Sequence, residues 1–139
     1  MAAKVKTKET VKRVVVNYPV GDFLIRVKNA ASADLKTISV HKTNLIKSVA
    51  EVLKREKFVR DIDEKDGILN VHLAYFAKEP LLMDIKLVSR PGLRQYKTAD
   101  ELEAHKGPET LVVSTSKGVL SHKEAITKRV GGEVIAKLL

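Results

Sequence analysis

The sequence predicts an α+β protein of two small lobes, an α/β amino lobe and a mainly β carboxyl lobe, on three observations. Apolar residues recur at helical spacing in much of the first half, and alternating runs dominate after Lys78-Glu79-Pro80. The 139 residues suffice for one domain or for two lobes sharing a linker. With 44% hydrophobic but only 4% aromatic residues, the core must be mainly aliphatic. The chain divides into a basic N-terminal extension over 1–17, an amino lobe over 18–79 and a carboxyl lobe over 80–139.

The extension sets Lys4, Lys6, Lys8, Lys12 and Arg13 against the single acid Glu9. Val14-Val15-Val16 is too short for a signal-peptide apolar region, and the serine and arginine enrichment of a transit peptide is missing, so the segment reads as a basic arm. From Pro19, the spacing of Val20, Phe23, Leu24 and Val27 predicts a helix with proline in its first turn. Its opposite stripe carries Asp22, Arg26 and Asn29, and Asp22 is in reach of Arg26 one turn on. A short strand over Thr37 to His41 follows. A second helix is marked by Leu45, Ile46, Val49, Val52 and Leu53, with Thr43 or Asn44 as cap.

Phe58 to Asp63 and Leu69 to Tyr75 flank Lys65-Asp66-Gly67, and Asp-Gly between alternating runs predicts a hairpin. Lys78-Glu79-Pro80 reads as the linker between lobes. Beyond it, Met83, Ile85 and Leu87 alternate as a strand, and Ser89-Arg90-Pro91-Gly92 predicts a type II turn with Gly92 at positive φ. Capping-box spacings at Thr98 to Glu101 and Ser121 to Glu124 open two helices, the second ending near Gly131-Gly132. Leu111-Val112-Val113 and Glu133 to Leu138 complete the reading as strands.

The 26 lysines and arginines against 17 acids give a formal charge of +9, which points to a polyanionic partner, nucleic acid first. The absence of cysteine excludes disulfide scaffolds, thiolate zinc sites and cysteine nucleophiles, and it fits a reducing compartment. No apolar run approaches the ~18 residues that span a bilayer, so no membrane partner is expected. His41, His72, His105 and His122 sit on separate elements without ligand spacing, which gives a metal site little support. Ser114 and Lys117 match the S-x-x-K spacing of some acyl-transfer enzymes, but the companion S-D-N and K-T-G segments are missing.

Two segments of the carboxyl lobe are more informative. Lys86, Arg90, Arg94 and Lys97 share a window without an acid, and Tyr96 lies among them. Cations supply phosphate contacts and a tyrosine stacks on an unpaired base. The same residues could equally be ordinary surface charge around a tyrosine at the edge of the core. Ser114-Thr115-Ser116-Lys117-Gly118 offers three hydroxyls, backbone amides and a cation in succession, although a simple Ser/Thr turn between strands accounts for it too.

Three ordered motifs span about residues 18 to 139: Pro19-Val20-Gly21-Asp22-Phe23-Leu24-Ile25-Arg26-Val27-Lys28-Asn29-Ala30, Val88-Ser89-Arg90-Pro91-Gly92-Leu93-Arg94-Gln95-Tyr96, and Val113 to Leu120 followed by Val130-Gly131-Gly132-Glu133-Val134-Ile135. Together they resemble small-subunit ribosomal protein number eight of the bacterial type. The resemblance implies binding to the central domain of small-subunit rRNA early in assembly, on an irregular helix, next to neighbouring small-subunit ribosomal proteins in the cytoplasm. Many members also repress their own messenger through a mimic of that site. Carried over by motif, Ser114, Thr115, Ser116, Lys117 and Gly118 form the main RNA loop, with Tyr96 and Glu133 beside it. Arg90, Arg94 and Lys97 assist, and Asp22, Arg26 and Asn29 give a second, weaker contact. No cofactor, small-molecule substrate or catalytic residue is implied.

Tyr18 departs from the family pattern by standing where an acid commonly precedes the proline, and Ile25 by standing where a polar residue is frequent. Gly107-Pro108-Glu109-Thr110 also replaces the usual approach to the hydroxyl loop. The alternatives from other classes are a nonspecific basic RNA-binding protein and a serine-lysine enzyme built on Ser114 and Lys117.

Overall fold

In the computed structural model the structure describes residues 18–139, and the basic arm expected over 1–17 lies outside the described residues. Helix α1 (Pro19–Ser32) places Pro19 in its first turn, where a missing N–H costs nothing, and the Asp22 N–H reaches the Tyr18 carbonyl at 3.0 Å. Its buried stripe includes Val20, Phe23, Leu24 and Val27, as the spacing predicts. Strand β1 (Thr37–His41) leads to α2 (Asn44–Arg55), which Thr43 caps by accepting the Ile46 N–H at 3.1 Å. Strands β2 (Val59–Lys65) and β3 (Ile68–Leu73) form the expected hairpin. Asp66 and Gly67 both take positive φ at its turn, which matches the strand twist. β1 pairs with the free edge of β3, giving an antiparallel sheet in the order β1-β3-β2.

The stretch expected to be a linker is different. The strand pattern breaks after Leu73, and β4 (Tyr75–Phe76) turns back on β5 (Glu79–Pro80) through Ala77 and Lys78 at positive φ. Polar residues and a proline read as linker from composition. A proline nevertheless fits the edge of so short a ribbon, where its missing N–H leaves no ladder bond unmade.

The second half builds one sheet around its last strand. In chain order it holds β6 (Ile85–Leu87), β7 (Tyr96–Lys97), α3 (Ala99–Glu103), β8 (Thr110–Thr115), β9 (Gly118–Ser121), α4 (His122–Lys128) and β10 (Gly132–Leu138). β8 runs along one edge of β10, with β9 outside it. β6 and β7 follow one another along the other edge of β10, β6 against Ala136–Leu138 and β7 against Gly132 and Glu133. The alternation puts Met83 in the strand, but β6 starts only at Ile85: Met83 is 76% exposed, and its N–H and that of Asp84 bond the Leu139 carbonyl just past β10. Both capping boxes form, at Thr98 with Glu101 and at Ser121 with Glu124. Helix α4 stops at Lys128, short of the glycine pair, and Arg129 takes the left-handed cap position at φ 55°.

A register shift between Val134 and Ala136 lets three consecutive β10 residues be buried. Val134 joins Leu102, Leu111, Val113, Leu120 and Ala125 in a small cluster covered by α3 and α4. Ile135, Ala136 and Leu138 join the larger cluster that also holds the α1, α2 and β3 side chains. One face of the carboxyl sheet therefore closes the core of the amino lobe.

A polar clamp adds to that junction. Arg55, at the end of α2, donates to both Glu124 carboxylate oxygens at 3.0 and 3.3 Å and to the Val119 carbonyl at 3.2 Å. Glu124 also accepts the Ser121 N–H, so one carboxylate caps α4 and holds α2. The pair is partly exposed and screened by solvent. Arg55→Ala should lower stability by about 1 kcal/mol or less in urea denaturation, and by less still at high salt.

His122 is buried, and its Nδ1 accepts the Leu111 N–H at 3.0 Å, which only the unprotonated nitrogen can do. Burial, then His105 standing edge-on with its ring centroid 5.0 Å away, then Lys123, hold its pKa below the ordinary value. Its contribution to stability is thus complete above the unfolded value of about 6.5 and is lost as pH falls through the lower folded value. Denaturation midpoints measured across that window should fall with pH, and His122→Gln should flatten the dependence.

Candidate nucleic-acid interface

Tyr96, Lys97, Glu133 and the Ser114–Gly118 segment converge at the end of the sheet where β10 begins, whereas Lys86 of β6 stands opposite Lys137 near its other end. Residues facing one another across neighbouring strands share a face, and Glu133 stands opposite Tyr96 of β7 on one side and Ser114 of β8 on the other. The row Tyr96–Glu133–Ser114 therefore crosses three strands, although the three residues are far apart in sequence. Tyr96 is 68% exposed, which removes the reading of it as a core-edge residue. β7 is a two-residue strand on the edge of the sheet, paired only along β10 among the described residues.

Backbone contact sets the row's spacing. A side chain on Gly132 would run into the Ser114 carbonyl, and one on Gly131 into the Lys97 carbonyl and the Thr98 backbone. The glycine pair that the sequence offered as a helix end thus serves close packing of β10 against its neighbours. Ser89, which the sequence marks only as part of a turn, is also essential here. It is fully buried, donates to the Val134 carbonyl at 2.7 Å and accepts the Gln95 N–H at 2.9 Å, which fixes the segment carrying Arg90 and Arg94 to β10. Serines are mostly exposed, so nothing in the sequence marks this one as an anchor. Between them, Arg90 and Leu93 exchange backbone bonds at 2.9 Å around Pro91 and Gly92, whose φ of +85° fits the expected type II turn.

The expected hydroxyl loop is mostly strand. Ser114 and Thr115 end β8, Gly118 starts β9, and only Ser116 and Lys117 form the turn. The Thr115 hydroxyl is spent inside it, donating to the Gly118 carbonyl at 2.7 Å and accepting the Lys117 N–H at 3.0 Å. Thr115 braces the turn, while Ser116 and Lys117 are presented to solvent.

Charge is unevenly committed. Arg94 donates to Glu133 at 3.1 Å and lies 5.3 Å from the centroid of the Tyr18 ring. The Glu133 carboxylate holds the Arg94 guanidinium pKa above its ordinary value, and burial followed by Glu133 raises that of the Tyr18 phenol against a pull from Arg94. Arg90, Lys97 and Lys117 make no ion pair among the described residues. Asp22, Arg26 and Asn29 lie on α1, outside the strands that carry the row. Arg26 does not pair with Asp22 but donates to the Ser39 carbonyl at 3.3 Å, since β1 offers an acceptor across the packing of α1. Among the described residues no group of three His, Asp or Glu side chains is arranged to hold a metal ion, and no helix is long and apolar enough to cross a membrane.

Fold and site together define a two-lobed α+β protein that presents polar side chains on an open sheet end rather than in a cleft. The family described as Ribosomal protein S8 matches residues 18–139, and the chain belongs to that family. Curated relatives carry the name small ribosomal subunit protein uS8. The chain is 40% identical to that of Enterococcus faecalis, 42% to that of a serotype 19F strain of Streptococcus pneumoniae and 43% to that of Streptococcus gordonii. Each likeness covers 88% of this chain and 98% of the relative.

Gly132→Ala should destabilise the protein by at least about 2 kcal/mol, because the Ser114 carbonyl it meets is held in the ladder. Gly118→Ala has open space but a φ of +105°, and should cost about 1–2 kcal/mol. Urea denaturation of the two variants checks the order.

Proposed function

We propose that this chain is a structural constituent of the small ribosomal subunit that binds the central domain of its rRNA, supports subunit assembly and catalyses no reaction. The carrying observation is the cross-strand row Tyr96–Glu133–Ser114, exposed at Tyr96 and partly exposed at Glu133 and Ser114, with the exposed Ser116–Lys117 turn at the end of β8. Membership in the family and the names of the relatives support the reading.

Regular A-form RNA offers proteins a deep, narrow major groove, so sequence and shape are read where bases are unstacked. Tyr96 supplies a stacking face for such a base. Ser114 and the Glu133 carboxylate supply hydrogen bonds to a base edge or 2′-hydroxyl, and the turn brings the Ser116 hydroxyl to the same place. Lys117, Arg90 and Lys97 hold phosphates and fix the register. Asp22, Arg26 and Asn29 make a second, weaker contact from the amino lobe. The subunit acts in the cytoplasm beside neighbouring ribosomal proteins, and a messenger that mimics the rRNA helix would bind the same row.

The test compares a central-domain rRNA fragment with a regular duplex of equal length at physiological salt. Tyr96→Ala should weaken fragment binding about tenfold or more, as expected when one base loses its stacking partner, with little effect on the duplex. Ser116→Ala should narrow the ratio between the two RNAs. Equal losses on both would overturn the assignment of these residues.

A further inference from the structure

Resting on that reading, we infer that Tyr18 is a positioning residue of the RNA site: its ring holds the Arg94 guanidinium on Glu133, which keeps the carboxylate at the centre of the row neutralised and fixed as a hydrogen-bond acceptor. Tyr18 lies on none of the strands that form the row, since it is the residue that precedes α1. Its ring centroid is nonetheless 5.3 Å from the Arg94 guanidinium carbon, and Arg94 donates to the Glu133 Oε2 at 3.1 Å. The guanidinium therefore has two partners, an aromatic face and a carboxylate. The ring is itself held in place. The Tyr18 carbonyl accepts the Asp22 N–H at the opening of α1, and the side chain packs against the larger apolar cluster. Gly21 leaves the room that the ring occupies, because a Cβ there would collide with it.

Arg94 depends on such a support. It follows the Pro91-Gly92 turn, and its side chain is 43% exposed, where an ion pair alone barely outweighs the freedom of two long side chains. A guanidinium released from the ring is drawn to the nearest phosphate instead. Glu133 would then face RNA as an unpaired negative charge, repelled by the same phosphates. With Arg94 in place the carboxylate is neutralised and still accepts from a base amine or a 2′-hydroxyl, because each carboxylate oxygen takes more than one hydrogen bond. The contact between Tyr18 and Arg94 thus decides whether that cation serves the row or a phosphate, and only the row distinguishes one RNA from another.

A double-mutant cycle on the full chain tests this, with affinities for the central-domain rRNA fragment and the regular duplex as the readout. Tyr18→Leu keeps an apolar side chain against the core and removes the aromatic face. It should weaken fragment binding roughly two- to fivefold, the scale of one partly exposed cation–π contact, and leave duplex binding as it is. Tyr18→Phe keeps the face and should restore the preference for the fragment. Glu133→Gln should narrow the ratio between the two RNAs by itself, and adding Tyr18→Leu should narrow it no further, because the charge that Arg94 serves is gone. A merely structural role gives another pattern, since a smaller folded fraction lowers both affinities by one factor and leaves their ratio unchanged.

Given a wild-type chain that prefers the fragment, any of four results overturns this inference and leaves the rRNA reading standing. Tyr18→Leu may leave the ratio unchanged, Tyr18→Phe may match Tyr18→Leu, Glu133→Gln may leave the ratio unchanged, or Tyr18→Leu may cost as much beside Glu133→Gln as alone. A wild-type chain with no preference for the fragment overturns the rRNA reading and this inference with it.

Discussion

Strand β10 is the constraint on which the rest of the structure depends. It pairs with β8 on one edge and with β6 and β7 in succession on the other, so three separate segments take their position from it. Its bulge decides which core each residue serves. Val134 goes to the small cluster under α3 and α4, while Ile135, Ala136 and Leu138 complete the core of the amino lobe. Without the extra residue, every side chain beyond it would point to the wrong face, because strand side chains alternate with a period of two.

The same strand makes the site. Its first residue, Gly132, and Gly131 just before it cannot carry side chains toward their neighbours, because the carbonyls of Ser114 and Lys97 occupy the space. The next, Glu133, stands at the centre of the row and holds Arg94 in place. Division of labour among the polar residues follows from hydrogen-bond accounting. Ser89 and Thr115 spend their hydroxyls inside the protein, one anchoring a segment and the other a turn. Tyr96, Ser116 and Lys117 face solvent instead.

Local signals proved readable wherever the physics is local. Both capping boxes, the Asp66-Gly67 turn, the positive φ of Gly92 and the apolar stripes of α1 and α2 follow from residues within one or two turns of each other. Errors fell where a local signal had two meanings. Gly131-Gly132 has the look of a helix end and is a close approach between strands, and Lys78-Glu79-Pro80 has the look of a linker and is partly strand. Asp22 and Arg26 have the spacing of a helical ion pair, yet a carbonyl on β1 takes the arginine.

From its sequence alone this protein reveals its fold class, its helices and main hairpin, its cationic surplus and the motifs of its family, since each is written in near neighbours or in composition. The row of Tyr96, Glu133 and Ser114, the commitment of Thr115 to bracing, the anchor at Ser89 and the place of Tyr18 against Arg94 were decided by tertiary structure. These depend on which strands pair and in what register. Register is set by burial of whole faces and by backbone approach at Gly132, and neither can be read from residues whose partners lie tens of positions away.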